Sequence, residues 1–251
     1  MTLIAIGGAE DKTGDMTVLR RVLAESGLKN PRVLVVTSAT GYPADAAKNY
    51  GAAFGALGAD CHFAHVGSAH QAKLPEHAKA AAKADIIFFT GGDQSRLMRI
   101  LGGSAFMEAV VKREAAGGVI AGTSAGAMAM SALMITSGNP ARGMLKGEIG
   151  QGVGLGLAPK LVIDTHVGQR DRLSRLFNVV AGSPAKTGIA LDEDTAIILR
   201  GGKAEVVGRG HVTIVTGEAL HTNYNAIENG TLIRADHFTV NSYRAGAKFR
   251  L

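Results

Sequence analysis

Tryptophan is absent from the 251 residues, aromatic side chains make up 5%, and there is one cysteine, Cys61. A single cysteine excludes an internal disulfide framework and suits a reducing compartment. The shortage of aromatics leaves few faces on which bases could stack. Lys and Arg (27) outnumber Asp and Glu (21) for a net charge of +6, but the basic residues are scattered rather than clustered. That pattern argues against a nucleic-acid partner. No stretch approaches the roughly 18 consecutive apolar residues that span a membrane. Residues 1–8 carry neither a basic leader nor a secretory-length apolar run, so a cytoplasmic protein with no membrane partner is expected. His62 and His65 would point to opposite faces of a strand, and no metal site is expected from them.

Glycine is abundant at 34 residues, without a collagen-like period, and must serve turns and close backbone approaches. The 46% of hydrophobic residues suits a globular core, and a length near the upper end for one core predicts a single α/β domain over residues 1–251. Short apolar runs at residues 3–7, 32–36, 59–64, 85–90 and 118–121 read as buried parallel strands. Between them, residues 16–26, 44–57, 71–82 and 106–115 have helical spacing. The alternation predicts a mainly parallel sheet with helices on both faces. Beyond residue 161, a helix-like piece at 168–180 is followed by strand-like runs at 187–191, 196–199, 204–207 and 212–215. Their close spacing predicts a C-terminal β-meander that completes the sheet and supplies an antiparallel layer. Glycine-rich residues 147–156 read as a loop beside the site.

The strongest local signal is Gly122-Thr123-Ser124-Ala125-Gly126. This G-x-S-x-G pattern lies between a strand-like run and a helix-forming run over 125–130, as a nucleophile elbow requires. The start of that helix offers N–H groups to a developing oxyanion. A serine hydroxyl needs a base within hydrogen-bond reach and a third group to hold the base. Of eight histidines, His166 is singled out because it follows the strand-like Leu161-Val162-Ile163-Asp164, at the carboxyl end where catalytic groups gather. For the acid, Asp164, Asp192, Glu193 and Asp194 all remain open. Gly7-Gly8 and Gly91-Gly92 lack the spacing of phosphate-binding loops, which weakens a noncatalytic ligand-binding reading. Cys61 lies far from the elbow, which weakens a cysteine-dependent amidotransferase.

Four separated motifs then carry a resemblance: Thr90-Gly91-Gly92-Asp93-Gln94, the Ser124 elbow, Asp164-Thr165-His166 with Arg170, Arg172 and Arg175, and Asp192-Glu193-Asp194-Thr195-Ala196, preceded by Ile6-Gly7-Gly8-Ala9-Glu10-Asp11-Lys12. The chain resembles the cyanophycinase family of serine peptidases, kin of the aspartyl dipeptidases. That resemblance implies a three-layer sandwich of the class I glutamine-amidotransferase type. It implies Ser124 as nucleophile, His166 as base and Glu193 as third member, with oxyanion donors at Gly92 and Ala125. Gln94, Asp164, Arg170, Arg172 and Arg175 would bind substrate, since arginine forks grip carboxylates. On a helix running through 168–180, Arg172 and Arg175 would share a face and Arg170 would turn away, so Arg172 is the first choice. The implied reaction cuts β-aspartyl bonds through an acyl-enzyme on the aspartyl side-chain carbonyl, above all in cyanophycin with release of β-Asp-Arg. The alternative substrate is a small isoaspartyl dipeptide. No cofactor is implied, and a homodimer is. Thr165 and Val167 replace the family's frequent Gln and Phe beside the base, which marks leaving-group specificity as the trait most open to change.

Overall fold

The computed structural model describes residues 2–183, 187–218 and 220–251. Along the chain the elements are β1 (Thr2–Ile6), α1 (Thr17–Ala24), β2 (Arg32–Val36), α2 (Pro43–Ala56), β3 (Asp60–Ala64), α3 (Pro75–Lys83), β4 (Ile86–Phe89), α4 (Gln94–Leu101), α5 (Ala105–Ala115) and β5 (Val119–Thr123). They continue with α6 (Ala125–Met128), β6 (Leu133–Ile135), β7 (Gln151–Val153), β8 (Leu161–Thr165), α7 (Leu173–Gly182), β9 (Thr187–Leu191), β10 (Thr195–Arg200), β11 (Lys203–Gly208) and β12 (His211–Thr216). The last are β13 (His221–Thr222), β14 (Ala235–Asp236), β15 (Thr239–Arg244) and β16 (Lys248–Arg250).

Eight strands form one sheet in the order β16-β11-β10-β1-β5-β4-β2-β3. The five from β1 to β3 are mutually parallel, while β10 and β11 join antiparallel to β1 and to each other. The pleat divides their side chains between two cores. Val33, Val35, Ile86 and Phe88 pack with Val18, Leu19 and Val22 of α1 and Phe54 of α2. Leu34, Val36, Ile87 and Phe89 pack on the opposite face with Leu97 of α4 and Phe106 of α5. Residues near-continuously apolar in sequence are therefore buried on both faces, as parallel strands require.

The late strands expected as a meander are present, and two sheets share them. β10 and β11 extend the main sheet, whereas β9 and β12 belong to a second sheet ordered β15-β12-β9-β8. Ile189 and Leu191 of this second sheet close the α4/α5 core, and its other face, with Val162 and Ala190, packs against Leu176, Val179 and Val180 of α7.

Local chemistry explains where helix boundaries differ from expectation. The helix expected over 71–82 breaks at Leu74, held extended at φ −70° and ψ 134°, because a residue before proline is barred from the helical region and Pro75 takes the first turn of α3. The helix expected from 168 starts only at Leu173; Asp171 has φ 50°, which no helix accommodates. Helix α6 stops at Met128, two residues short of expectation. Helix α4 was not anticipated, although Asp93, whose Oδ1 accepts from the Ser95 and Arg96 amides at 2.7 and 3.0 Å, is a conventional helix cap. Residues 147–156 include β7, which pairs with β6, so this segment is partly sheet.

Candidate active site

The central position of β5, between β1 and β4, sends Thr123 to the carboxyl edge of the parallel strands. Ser124 then turns sharply, with φ 52° and ψ −116°, a conformation that costs a non-glycine residue on the order of 1–3 kcal/mol. The flanking glycines make the turn possible. A Cβ on Gly122 would lie 2.7 Å from Gly126 C, and one on Gly126 would lie 2.4 Å from Phe89 O.

Ser124 Oγ lies 2.8 Å from His166 Nε2, and His166 Nδ1 lies 2.6 Å from Glu193 Oε1. A carboxylate can only accept, so Nδ1 carries the proton and Nε2 is left to accept from the serine hydroxyl. Burial pushes the His166 pKa below its ordinary value. Arg170 and Arg172 push the same way, while Glu193 opposes them. The imidazole is therefore neutral near pH 7, the form a general base needs.

The other acids have different duties. Asp192 accepts from the Gly168 and His211 amides at 2.9 and 3.0 Å. Asp194 accepts from the Asp11 amide at 3.0 Å and pairs with Arg209 at 3.3 Å. Asp164 is fully buried and pairs with Arg175, Oδ2 to Nε 3.0 Å and Oδ1 to Nη2 3.2 Å. Burial raises its pKa against the pull of Arg175 and Arg172. Elsewhere, His62 pairs with Asp60 and His65 bonds Thr37, and burial pushes the Cys61 thiol up to about 11.

A cleft of about 320 Å³ opens beside Ser124, lined by Gly92, Gln94, Met128, Thr136, Ser137, Gly138, Arg170, Arg172 and Arg175. All three arginines reach it. The expectation that Arg170 turns away fails because 168–172 is a turn: the Arg172 amide bonds Val167 O, and Arg172 Nη1 bonds Thr165 O. Asp164, expected to bind substrate, is not among the lining residues; it stands behind them and holds Arg175. Gln94 Nε2 donates to Ile135 O and Thr136 O at 2.8 and 3.1 Å, which orients its amide and leaves Oε1 to accept from a ligand. Thr165 and Val167, 0% and 6% exposed, are buried on either side of His166 in the chain and are not among the residues lining the cleft.

Gly92, at φ 139°, lines the cleft, and Ala125 follows the serine directly. Neither amide has a hydrogen-bond acceptor among the described residues. Sequence reasoning missed Met128, at the end of α6, and the wall at Thr136, Ser137 and Gly138, which carry no chemical signature and enter through the segment after β6.

A model of peptidase family S51 matches residues 3–207. The chain is 33% identical over 230 residues to the cyanophycinase of Geminocystis herdmanii, covering 90% of this chain and 85% of that protein. It is 34% identical over 226 residues to the cyanophycinase of Trichormus variabilis, covering 88% and 76%. Among solved structures, a peptidase from an acI-B1 actinobacterium superposes with a TM-score of 0.75 at 20% identity, covering 100% of this chain and 96% of that one. A putative peptidase E from Listeria monocytogenes gives a TM-score of 0.61 at 17% identity, covering 83% and 98%. At such identities these two structures speak to the fold alone.

Proposed function

The chain belongs to peptidase family S51, and on that premise we propose that it degrades cyanophycin, with Ser124 as nucleophile, His166 as general base and Glu193 as the group that orients the base. One observation carries the assignment: the unbroken relay from Ser124 Oγ to His166 Nε2 at 2.8 Å and from His166 Nδ1 to Glu193 Oε1 at 2.6 Å.

As His166 Nε2 takes the hydroxyl proton, Ser124 Oγ bonds to the scissile carbonyl carbon. The oxyanion that forms is received by the Gly92 and Ala125 amides, two N–H groups near the serine that have no hydrogen-bond acceptor among the described residues. The C–N bond then breaks, and the proton on Nε2 passes to the leaving amine. Water attacks the resulting ester with its proton going to Nε2, the C–Oγ bond breaks, and the proton returns to Ser124. Glu193 stabilises the transient imidazolium, and no step calls for a metal or cofactor.

The product decides which amide is cut. Cyanophycin is a poly-aspartate with arginine on each side chain, and released β-Asp-Arg still contains the side-chain amide. The scissile bond in the polymer is therefore the main-chain amide, and the acyl group on Ser124 is carried through the α-carbonyl, not through the side-chain carbonyl that the family resemblance implies; only a small isoaspartyl dipeptide would acylate through the side-chain carbonyl. Each polymer branch ends in an arginine carboxylate, and the positive charge of Arg170, Arg172 and Arg175 lining the cleft would favour that group. Gln94 Oε1 can accept from a substrate N–H.

The test is product release from cyanophycin, β-Asp-Arg, β-Asp-Leu and α-Asp dipeptides, run beside Ser124→Ala. β-Asp-Arg should appear from the polymer, with the rate lower in Ser124→Ala by on the order of 10⁴-fold or more. Near-full activity in a folded Ser124→Ala would sink the mechanism. Cleavage of small β-dipeptides alone would make the substrate an isoaspartyl dipeptide, and no cleavage would return a ligand-binding domain to the front.

A further inference from the structure

We propose that Glu10 is a positioning residue for the nucleophile, acting through Thr123; this rests on Ser124 being the nucleophile. Glu10 lies at 3% exposure in the turn after β1, and among the described residues no hydrogen bond or ion pair joins it to Ser124, His166 or Glu193. Its Oε2 accepts from Thr123 Oγ1 at 2.6 Å, its Oε1 is bonded by the Tyr50 hydroxyl, and Lys12 Nζ lies 3.2 Å from Oε1. Burial and the carboxylate itself keep the Tyr50 phenol protonated, so it donates. Both carboxylate oxygens are thus satisfied and the charge is countered. A buried carboxylate is costly to desolvate and persists where such partners hold it. Here the partner that matters is the residue immediately before Ser124.

The same turn holds the rest of the site. Three successive carbonyls receive the amides of the three relay segments: Ile6 O from Ser124 at 3.0 Å, Gly7 O from His166 at 3.0 Å and Gly8 O from Asp194, the neighbour of Glu193, at 2.8 Å. Gly8 must be glycine, because a Cβ there would lie 2.3 Å from His166 Cε1. A backbone as strained as that of Ser124 keeps its shape only while its surroundings over-determine it. The Ile6 carbonyl fixes the Ser124 amide, and Glu10 fixes the side chain one residue earlier. Together they set the direction in which Oγ leaves the turn.

Thr123→Val removes the donor while keeping the shape. It should lower kcat on cyanophycin by on the order of 10–100-fold, the scale expected for misalignment at a reacting atom. KM and the acidic limb of the pH profile should stay put, because the arginine cleft and the His166–Glu193 pair are untouched. Thr123→Ser, which restores the donor, should recover the rate, and Glu10→Gln should fall between the two. Circular dichroism and thermal melting establish that each variant is folded. A folded Thr123→Val with unchanged kcat would overturn the proposal. So would a loss that Thr123→Ser fails to rescue, which would mark a packing defect. Ser124→Ala, assayed alongside, separates the two levels: activity there removes the premise, whereas a dead Ser124→Ala beside a fully active Thr123→Val sinks only the role of Glu10.

Discussion

Two acid–base pairs start from residues two apart at the end of β8, Asp164 and His166, and differ in what surrounds them. Asp164 and Arg175 are nearly sealed, with side chains 0% and 5% exposed, whereas His166 and Glu193 stand at 9% and 32%. The sealed pair has a bidentate geometry and a second cation, Arg172, 3.9 Å away. Two hydrogen bonds to Asp164 hold Arg175, which lines the cleft. The open pair has one short bond and a ring nitrogen left to face Ser124, so a proton can come and go. Burial around a charge pair holds its geometry fixed; a half-open pair with a titratable member leaves room for a proton to move.

The sharpest way to break this contrast is to disable the open pair without unfolding the protein. Glu193→Gln keeps shape and hydrogen-bonding atoms but permits the wrong imidazole tautomer, for which comparable triads lose about 10⁴-fold in kcat. The melting temperature should barely move. Because Glu193 holds the His166 pKa up, its neutralisation should also shift the acidic limb of kcat/KM to lower pH. A modest rate loss would place the relay acid elsewhere.

Asp164→Ala tests the sealed pair and should show the opposite balance. It leaves Arg175 and Arg172 without their carboxylate in a dry site, which costs about 3–5 kcal/mol for a buried pair broken on one side. For a chain of this size that is a fall in melting temperature of roughly 6–20 °C. An unchanged melting temperature would show that the pair is not structural.

The mildest test joins the two pairs. Arg170 lines the cleft and also depresses the His166 pKa. Arg170→Gln should reduce kcat/KM by about 10-fold, the lower end for losing a charge-assisted hydrogen bond. It should also move the acidic limb to higher pH, since a cation that disfavours the imidazolium is gone. A rate loss with no such shift would leave Arg170 a binding group alone.

Much of the parallel half was legible because its signals are local. The run 32–36 is apolar at every position but Arg32, and the structure makes it β2 with the same bounds. The serine turn was legible for the same reason: Gly122 and Gly126 are needed within the five residues that form it. The break at Leu74 was also written locally, in Pro75, and so was α4, in Asp93; attention to caps and pre-proline residues would have found both. The orientation of Arg170 was not readable, because a helical projection presumes a helix, and Asp171 at positive φ starts a turn there instead.

By itself, the sequence determined the alternation of strands and helices, the strained serine turn, and the small set of residues capable of acid–base work, since each depends on neighbours a few positions apart. Tertiary structure decided which partner each member of the set meets. Glu193, Asp192 and Asp194 are consecutive and chemically alike, and only the packing of the β9–β10 turn against β8 directs the first to His166 and the others to Gly168, His211, Asp11 and Arg209. Asp164 likewise became a support for Arg175, and Glu10 came to lie on Thr123, 113 positions away. Hydrogen bonds reach about 3 Å, so a role that depends on one is settled by the fold that brings distant segments within that reach.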